Sequence, residues 1–124
     1  MVRCLIVDDS PHFLHAAVGL LAREGISVVG VATSSDEAIE QVRRLQPDVL
    51  LLDIDLGGES GLALAVRLHS DARASDIKII LTSTHEEQDF ADLIDSSPAI
   101  GFLPKTALSG DAIRRLMRCG DAPT

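Results

Sequence analysis

Five short aliphatic runs, separated by segments with helical periodicity, limit what this sequence can fold into. The runs occupy residues 3–7, 27–31, 49–52, 77–81 and 100–103. Residues 49–52 read Val-Leu-Leu-Leu without alternation of apolar and polar side chains, which is typical of a strand buried on both faces of a parallel sheet. Strands that alternate with helices predict repeated β-α units. We therefore expect a doubly wound α/β fold with five parallel strands and five helices on both faces of the sheet.

Capping signals mark the ends of the intervening helices. Ser10 and Pro11 combine a good N-cap residue with a residue that suits the first helical position. Ser34 and Glu37 have the spacing of a capping box, and Pro47 cannot continue the helix that this box begins. The remaining helices are predicted at residues 62–68, at residues 86–95 and after Ser109.

The length and net charge of the chain limit the classes of function that it can have. The 124 residues are predicted to form one domain over residues 1–120, with residues 121–124 as a C-terminal tail or the start of a linker. The net charge of -8 and the absence of Trp and Tyr argue against direct binding of nucleic acid. No apolar stretch is long enough to span a bilayer, and no leader precedes the first run. We therefore expect a cytoplasmic protein without membrane contact.

Four of the five runs end on polar residues whose side chains can take part in chemistry. In run order these residues are Asp8 and Asp9, then Asp53, Thr82 and Lys105. The carboxyl ends of parallel strands lie at one edge of a sheet, where open α/β folds bind their ligands. We therefore expect these side chains to form a single site.

A site with several carboxylates needs a counter-charge. Two carboxylates about 4 Å apart repel by about 4 kcal/mol at an effective dielectric constant near 20. A bound cation or a raised pKa relieves this repulsion. Carboxylate oxygens suit Mg²⁺ or Mn²⁺ that retains water and shares a phosphate oxygen. A carboxylate can also attack phosphorus, helped by a metal, a hydroxyl and an ammonium group, so the residues indicate phosphoryl chemistry.

Five segments of the chain together form a more specific pattern. They are Leu-Ile-Val-Asp-Asp-Ser at 5–10, Pro-Asp-Val-Leu-Leu-Leu-Asp-Ile-Asp-Leu at 47–56, residues 58–62, Ile-Leu-Thr-Ser at 80–83 and Gly-Phe-Leu-Pro-Lys at 101–105. With these segments the chain resembles response-regulator receiver domains of two-component signalling, over residues 2 to about 118. It is most similar to receivers that usually precede a helix-turn-helix output domain. The resemblance implies a flavodoxin-like sheet with strand order 2-1-3-4-5.

The resemblance assigns roles to the residues at the strand ends. It implies that Asp53 is the phosphoacceptor and that Lys105 pairs with the phosphoryl oxygens. It also implies an Mg²⁺ ion bound by Asp53, directly by Asp9, through water by Asp8, and by the backbone carbonyl of Asp55.

The same resemblance implies a switch and its partners. Thr82 would move toward the phosphoryl group on activation, together with Phe102, which lies three residues before Lys105. A cognate sensor histidine kinase or a small phosphodonor would supply the phosphoryl group. The fourth helix, fifth strand and fifth helix would form the surface for a second copy or an output partner. Such a domain is not an enzyme beyond catalysing its own phosphorylation and dephosphorylation.

Some positions depart from the pattern of many receivers. Phe102 stands where tyrosine is more familiar, and a simple core role is the alternative to a switch role for its ring. Gly57 and Gly58 replace a common Met-Pro pair, so we expect a looser loop after Asp53. Thr106 follows the lysine where many receivers have proline.

Two other functions fit part of the pattern. The segment Asp53-Ile54-Asp55 after an aliphatic strand also resembles the first motif of haloacid-dehalogenase-type phosphatases. Those enzymes need a second acid pair after the lysine, whereas Asp111 falls within the last predicted helix. A receiver-like adaptor that works without phosphorylation is the other alternative. The complete set of site residues argues against it, because such an adaptor does not need them. We rank both below the phosphorylation switch.

Overall fold

A parallel sheet organises the structure, a computed structural model that describes residues 2–71, 77–84 and 91–120. The strands are β1 (Arg3–Val7), β2 (Ser27–Ala32), β3 (Val49–Asp53), β4 (Lys78–Ser83) and β5 (Gly101–Pro104). All neighbouring strands pair in parallel, in the order β2-β1-β3-β4-β5. The predicted doubly wound fold and its strand order are therefore confirmed.

Helices cover both faces of this sheet. They are α1 (Pro11–Arg23), α2 (Ser35–Leu45), α3 (Gly61–Ser70), α4 (Ala91–Asp95) and α5 (Gly110–Gly120). The helix predicted at 62–68 is confirmed and extends further at both ends. Residues 86–90 of the predicted fourth helix and the predicted tail at 121–124 lie outside the described residues. Within the described ranges, no helix has both the length and the apolar character needed to cross a bilayer.

Strand alternation divides the core into two layers. The layer beneath α2, α3 and α4 contains the strand residues Leu5, Val7, Leu50, Leu52, Ile79, Leu81 and Phe102. The layer beneath α1 and α5 contains Cys4, Ile6, Val49, Leu51, Ile80 and Leu103. Successive side chains of a strand point to opposite faces. The side chain of Asp53 therefore points to the same face as those of Val49 and Leu51, which is the face that α1 and α5 cover.

Strands β3 and β4 extend beyond their aliphatic runs into polar residues. Asp53 ends β3 and is in register with Thr82 on β4. The Ile54 N–H donates to the Thr82 carbonyl at 3.0 Å, so the ladder continues where the apolar pattern has already stopped. The sequence pattern predicts the strand ends too early because polar side chains usually mark a turn. The two polar side chains are instead held on strands, which position them more rigidly than loops would.

Side-chain caps fix where α1 and α2 begin. Ser10 Oγ accepts a hydrogen bond from the Phe13 N–H at 3.3 Å, as the predicted cap requires. Ser34 Oγ accepts one from the Glu37 N–H at 3.3 Å. The Glu37 carboxylate accepts a hydrogen bond from the Thr33 N–H at 3.1 Å. In the usual capping box the donor is the N–H of the N-cap residue, which here is Ser34, one residue later.

Candidate functional site

The polar residues that follow or end β1, β3 and β4 come together at the carboxyl edge of the sheet. Asp8 follows β1, and its N–H donates to the Ala32 carbonyl at 3.0 Å, which continues the pairing of β1 with β2. Asp53 and Thr82 lie side by side on β3 and β4. The exposed fractions are 0% for Asp8, 6% for Asp53 and 1% for Thr82. Buried polar groups at one sheet edge require compensating partners.

Lys105 compensates the two buried carboxylates. It follows β5 and begins a short 3-10 turn, Lys105–Ala107. Its Nζ atom lies 2.6 Å from Asp8 Oδ2 and 3.0 Å from Asp53 Oδ2, and 13% of its side chain is exposed. One ammonium group therefore bridges carboxylates from two neighbouring strands. Removing it would leave both charges buried without a cationic partner.

Backbone N–H groups hold the other oxygens of the two carboxylates. Asp8 Oδ1 accepts from the Ser10 N–H at 2.9 Å, and Asp53 Oδ1 accepts from the Asp55 N–H at 3.0 Å. Asp8 Oδ2 is buried close to Lys105, but no described group aligns a hydrogen bond with it. A carboxylate oxygen has two lone pairs, so Asp8 Oδ2 retains one for a further cation beside the ammonium group.

The ionisation of the site is set by burial and by the neighbouring charges. Burial raises the pKa of Asp53 above its ordinary value, while the Asp55 N–H and Lys105 lower it and the charge of Asp8 raises it. Burial alone would lower the pKa of Lys105, but the carboxylates of Asp8 and Asp53 raise it above its ordinary value. One ammonium group faces two carboxylates, so the site retains excess negative charge that another cation can neutralise.

Asp8, Asp9 and Asp53 form a cluster that can hold a metal ion. Each offers one carboxylate oxygen, and these oxygens all lie within 4.8 Å of one another. Asp9 is exposed, so the cluster is open to solvent on its side. Oxygen ligands with an open side suit Mg²⁺, which retains several of its waters. The donor set and the remaining lone pair of Asp8 Oδ2 both fit the predicted ion.

The loop after β3 lies against Asp9. Gly57 has a φ of +64°, and a Cβ atom at this position would lie 2.5 Å from Asp9 Oδ2. Asp55 is exposed, and its Oδ1 atom accepts from the Gly57 N–H at 3.1 Å, so its carboxylate binds its own loop. The predicted role of the Asp55 carbonyl as a metal ligand stays a prediction.

Phe102 is packed in the core beneath α2, α3 and α4. It is 7% exposed, is in register with Leu81 and belongs to the same core layer as Ile94. This packing agrees with the core role considered for its ring. Its predicted movement together with Thr82 stays a prediction.

Phe13 is a neighbour of the site that the sequence pattern did not predict. The Lys105 Nζ atom lies 4.5 Å from the centroid of the Phe13 ring. Phe13 follows Asp9 by four residues in the first turn of α1, so it lies near the same sheet edge. The aromatic residue in the first helical turn after the acid pair is the sequence signal that could have predicted this contact.

Asp111 does not join the acidic cluster. It is exposed in the first turn of α5 and pairs with Arg114, whose Nη2 atom lies 2.9 Å from Asp111 Oδ1. The hydrogen bond from Arg114 is the main cause that lowers the pKa of Asp111 below its ordinary value. Asp111 therefore does not supply the later acid pair that a haloacid-dehalogenase-type phosphatase requires.

Comparisons with known proteins show what this chain is similar to. A family model described as the response regulator receiver domain matches residues 4–117. The chain is 33% identical over 108 residues to the response regulator GacA of Pseudomonas viridiflava, which covers 86% of this chain and 50% of that protein. It is 35% identical over 117 residues to protein-glutamate methylesterase/protein-glutamine glutaminase 5 of Myxococcus xanthus, covering 93% and 33% respectively. The chain therefore spans half or less of the length of these relatives.

A solved structure with the same fold extends the comparison. The signal receiver domain of the response regulator NarL from Mycobacterium tuberculosis matches with a TM-score of 0.82 and 28% sequence identity. The match covers 98% of both chains. The two proteins therefore share the same fold over nearly the whole length of this chain.

Proposed function

Because the chain belongs to the response regulator receiver domain family, we propose that it is a signalling switch that accepts a phosphoryl group from a sensor histidine kinase onto Asp53. The observation that carries this proposal is the bridge that Lys105 makes between Asp8 and Asp53. Phosphoryl transfer requires a cation that pairs with the phosphoryl oxygens as their charge develops. The Lys105 ammonium group is already in contact with the proposed acceptor.

Accessibility and contacts favour Asp53 over the two other carboxylates of the cluster. Asp8 is fully buried, so a phosphodonor cannot reach it. Asp9 is exposed, but no ion pair within the described part of the chain joins it to Lys105. Asp53 combines residual exposure with an oxygen 3.0 Å from the ammonium group. This combination supports Asp53 as the acceptor.

The transfer replaces one bond to phosphorus by another. A carboxylate oxygen of Asp53 forms an oxygen–phosphorus bond while the nitrogen–phosphorus bond of the donor phosphohistidine breaks. The electron pair of the broken bond stays on the imidazole nitrogen, which takes a proton from water. Lys105 pairs with the phosphoryl oxygens. Asp9, Asp53 and the Asp55 carbonyl, with Asp8 through water, would hold Mg²⁺, which would supply positive charge to neutralise the carboxylates and the phosphoryl group.

The proposed output begins with a change of charge at the sheet edge. A phosphoryl group adds negative charge and strong acceptor oxygens beside Thr82. Thr82 moves to bind it, and the change reaches the surface of α4, β5 and α5 through the packing around Phe102. That surface then binds an output partner or a second copy of the chain. In this proposal the switch acts in the cytoplasm and binds neither nucleic acid nor membrane itself.

Labelling with a radioactive small acyl phosphate tests the proposal. We expect Mg²⁺-dependent labelling of the wild-type protein, at about one phosphoryl group per chain. The label should be released by hydroxylamine, as an acyl phosphate is. The Asp53→Asn protein should not be labelled, because an amide oxygen is a poor nucleophile toward phosphorus.

Asp48→Asn provides a matched control at the other end of β3. Asp48 is exposed, and its Oδ2 atom accepts from the Arg3 N–H at 2.9 Å, a bond that an amide oxygen can also accept. We expect this variant to be labelled like the wild type. Absence of label in the wild-type protein would contradict the proposal and favour the phosphorylation-independent adaptor. Multiple-turnover hydrolysis of an aryl phosphate would favour a phosphatase instead.

A further inference from the structure

Phe13 lies against the lysine of the site, and we propose that its ring positions the Lys105 ammonium group. The Nζ atom lies 4.5 Å from the ring centroid while it contacts Asp8 and Asp53. The face of an aromatic ring is electron-rich and attracts a cation at this distance. The ammonium group is therefore held by two carboxylates and one ring. The catalytic consequence of this inference rests on the proposed phosphorylation of Asp53.

Local hydrogen bonds tie Phe13 to the acidic cluster. The Phe13 N–H donates to Ser10 Oγ at 3.3 Å, and the Ser10 N–H donates to Asp8 Oδ1 at 2.9 Å. The Phe13 ring is partly buried and packs against the core layer beneath α1 and α5. The first turn of α1 thus connects the ring to the same carboxylate that Lys105 contacts. Because this connection is short, the ring and the carboxylate keep a fixed relation.

A lysine side chain needs such support to hold one position. Its flexible stem carries a compact point charge, and ordering it costs rotamer entropy. The Nζ atom is closer to Asp8 Oδ2, at 2.6 Å, than to Asp53 Oδ2, at 3.0 Å. Without the ring, the ammonium group is free to follow the nearer carboxylate and leave Asp53. The ring therefore keeps Lys105 in contact with the proposed acceptor.

Two substitutions separate this positioning role from simple filling of space. Phe13→Tyr keeps an aromatic face, whereas Phe13→Leu fills the core without one. The chain contains two lysines, Lys78 and Lys105, so isotope-labelled lysine gives two sets of side-chain NMR signals. Lys78 begins β4 at the opposite edge of the sheet and serves as the internal reference. We expect the ring to shift the Lys105 signals upfield in the wild-type and Tyr proteins, but not in the Leu protein.

Phosphorylation kinetics test the consequence for function. With Mg²⁺ and a small acyl phosphate, Phe13→Leu should lower the rate constant about fivefold, the equivalent of a cation–π contact of about 1 kcal/mol. Phe13→Tyr should stay within about twofold of the wild type, because it retains the ring face. Since the effect acts through the ammonium group, Phe13→Leu should cause no further loss in a Lys105→Met protein.

The possible outcomes are distinct. Unchanged Lys105 signals in the Leu protein would overturn the inference, as would equal losses of rate in the Leu and Tyr proteins. An additional rate loss from Phe13→Leu in the Lys105→Met protein would indicate a purely structural role and also overturn it. A wild-type protein that takes no label would refute the proposed function. The Lys105 signals would then still decide whether the ring holds the ammonium group.

Discussion

Replacing Lys105 by methionine is expected to destabilise the metal-free protein at neutral pH. Methionine has nearly the length of lysine and keeps its apolar contacts, but it removes the charge between Asp8 and Asp53. Both carboxylates are buried, so water cannot replace the lost ammonium group effectively. The change therefore isolates the electrostatic contribution of the bridge.

The geometry of the cluster sets the size of this effect. The oxygens of Asp8 and Asp53 lie within 4.8 Å of each other. Two full charges at that separation repel by about 3.5 kcal/mol at an effective dielectric constant near 20. Removing one partner of a buried ion pair costs about 3–5 kcal/mol. We expect the free energy of unfolding to fall by about 3 kcal/mol, because uptake of a proton by Asp53 limits the loss.

The dependence on pH and Mg²⁺ follows from the same charges. Lys105 lowers the pKa of Asp53, so its removal raises that pKa further above the ordinary value of 3.8. A raised folded-state pKa means that the folded protein binds more protons, and its stability falls as pH rises through that pKa. The loss in Lys105→Met should therefore be largest at neutral pH and shrink as the pH falls toward 3.8. Mg²⁺ should stabilise this variant more than the wild type.

Denaturant unfolding with EDTA and with Mg²⁺ measures these differences. Lys78→Met is the matched control, because it removes the other lysine of the chain at the opposite edge of the sheet. Mg²⁺ should stabilise Lys78→Met no more than it stabilises the wild type. The reasoning is refuted if Lys105→Met is as stable as the wild type in EDTA. It is also refuted if Mg²⁺ fails to restore that variant preferentially.

Further predictions concern the acceptor, the loop after β3 and the buried thiol. Because burial raises the pKa of Asp53, ionisation of this carboxyl group destabilises the folded protein at pH values above the ordinary pKa of 3.8. Asp53→Asn should therefore be more stable than the wild type at neutral pH without divalent metal, and no more stable below pH 3.8 in denaturant unfolding. Gly57→Ala and Gly58→Ala both place an L side chain at positive φ and should each cost about 1 kcal/mol. Calorimetry should show weaker Mg²⁺ binding for Gly57→Ala alone, since only there does the added Cβ meet Asp9. Burial raises the pKa of Cys4 to about 12, so peptide mapping should find it alkylated at pH 8 only after denaturation.

The meeting of Asp53 and Thr82 could be predicted from the sequence, whereas the contacts of Lys105 could not. The positions of the strands are readable from short aliphatic runs, although β3 and β4 extend one or two residues further, and parallel strands bring their carboxyl ends to one edge. The proposal that Asp53 is the acceptor rests instead on the family resemblance. Which carboxylates Lys105 reaches depends on the turn after β5, and its contact with Phe13 depends on how α1 packs. Both are interactions between residues far apart in the chain.

Phe102 is the position at which the proposed switch would differ from a switch that uses tyrosine. A tyrosine at this position carries a hydroxyl that favours contact with water or a hydrogen-bond partner, which draws the ring outward. Phenylalanine has no such group, and burying its ring leaves no polar atom without a partner. In this structure the ring is already inside, at 7% exposure, in the same core layer as Ile94 on α4. A signal that starts at Thr82 would therefore reach the α4, β5 and α5 surface by shifting packed side chains rather than by moving a ring from solvent into the core.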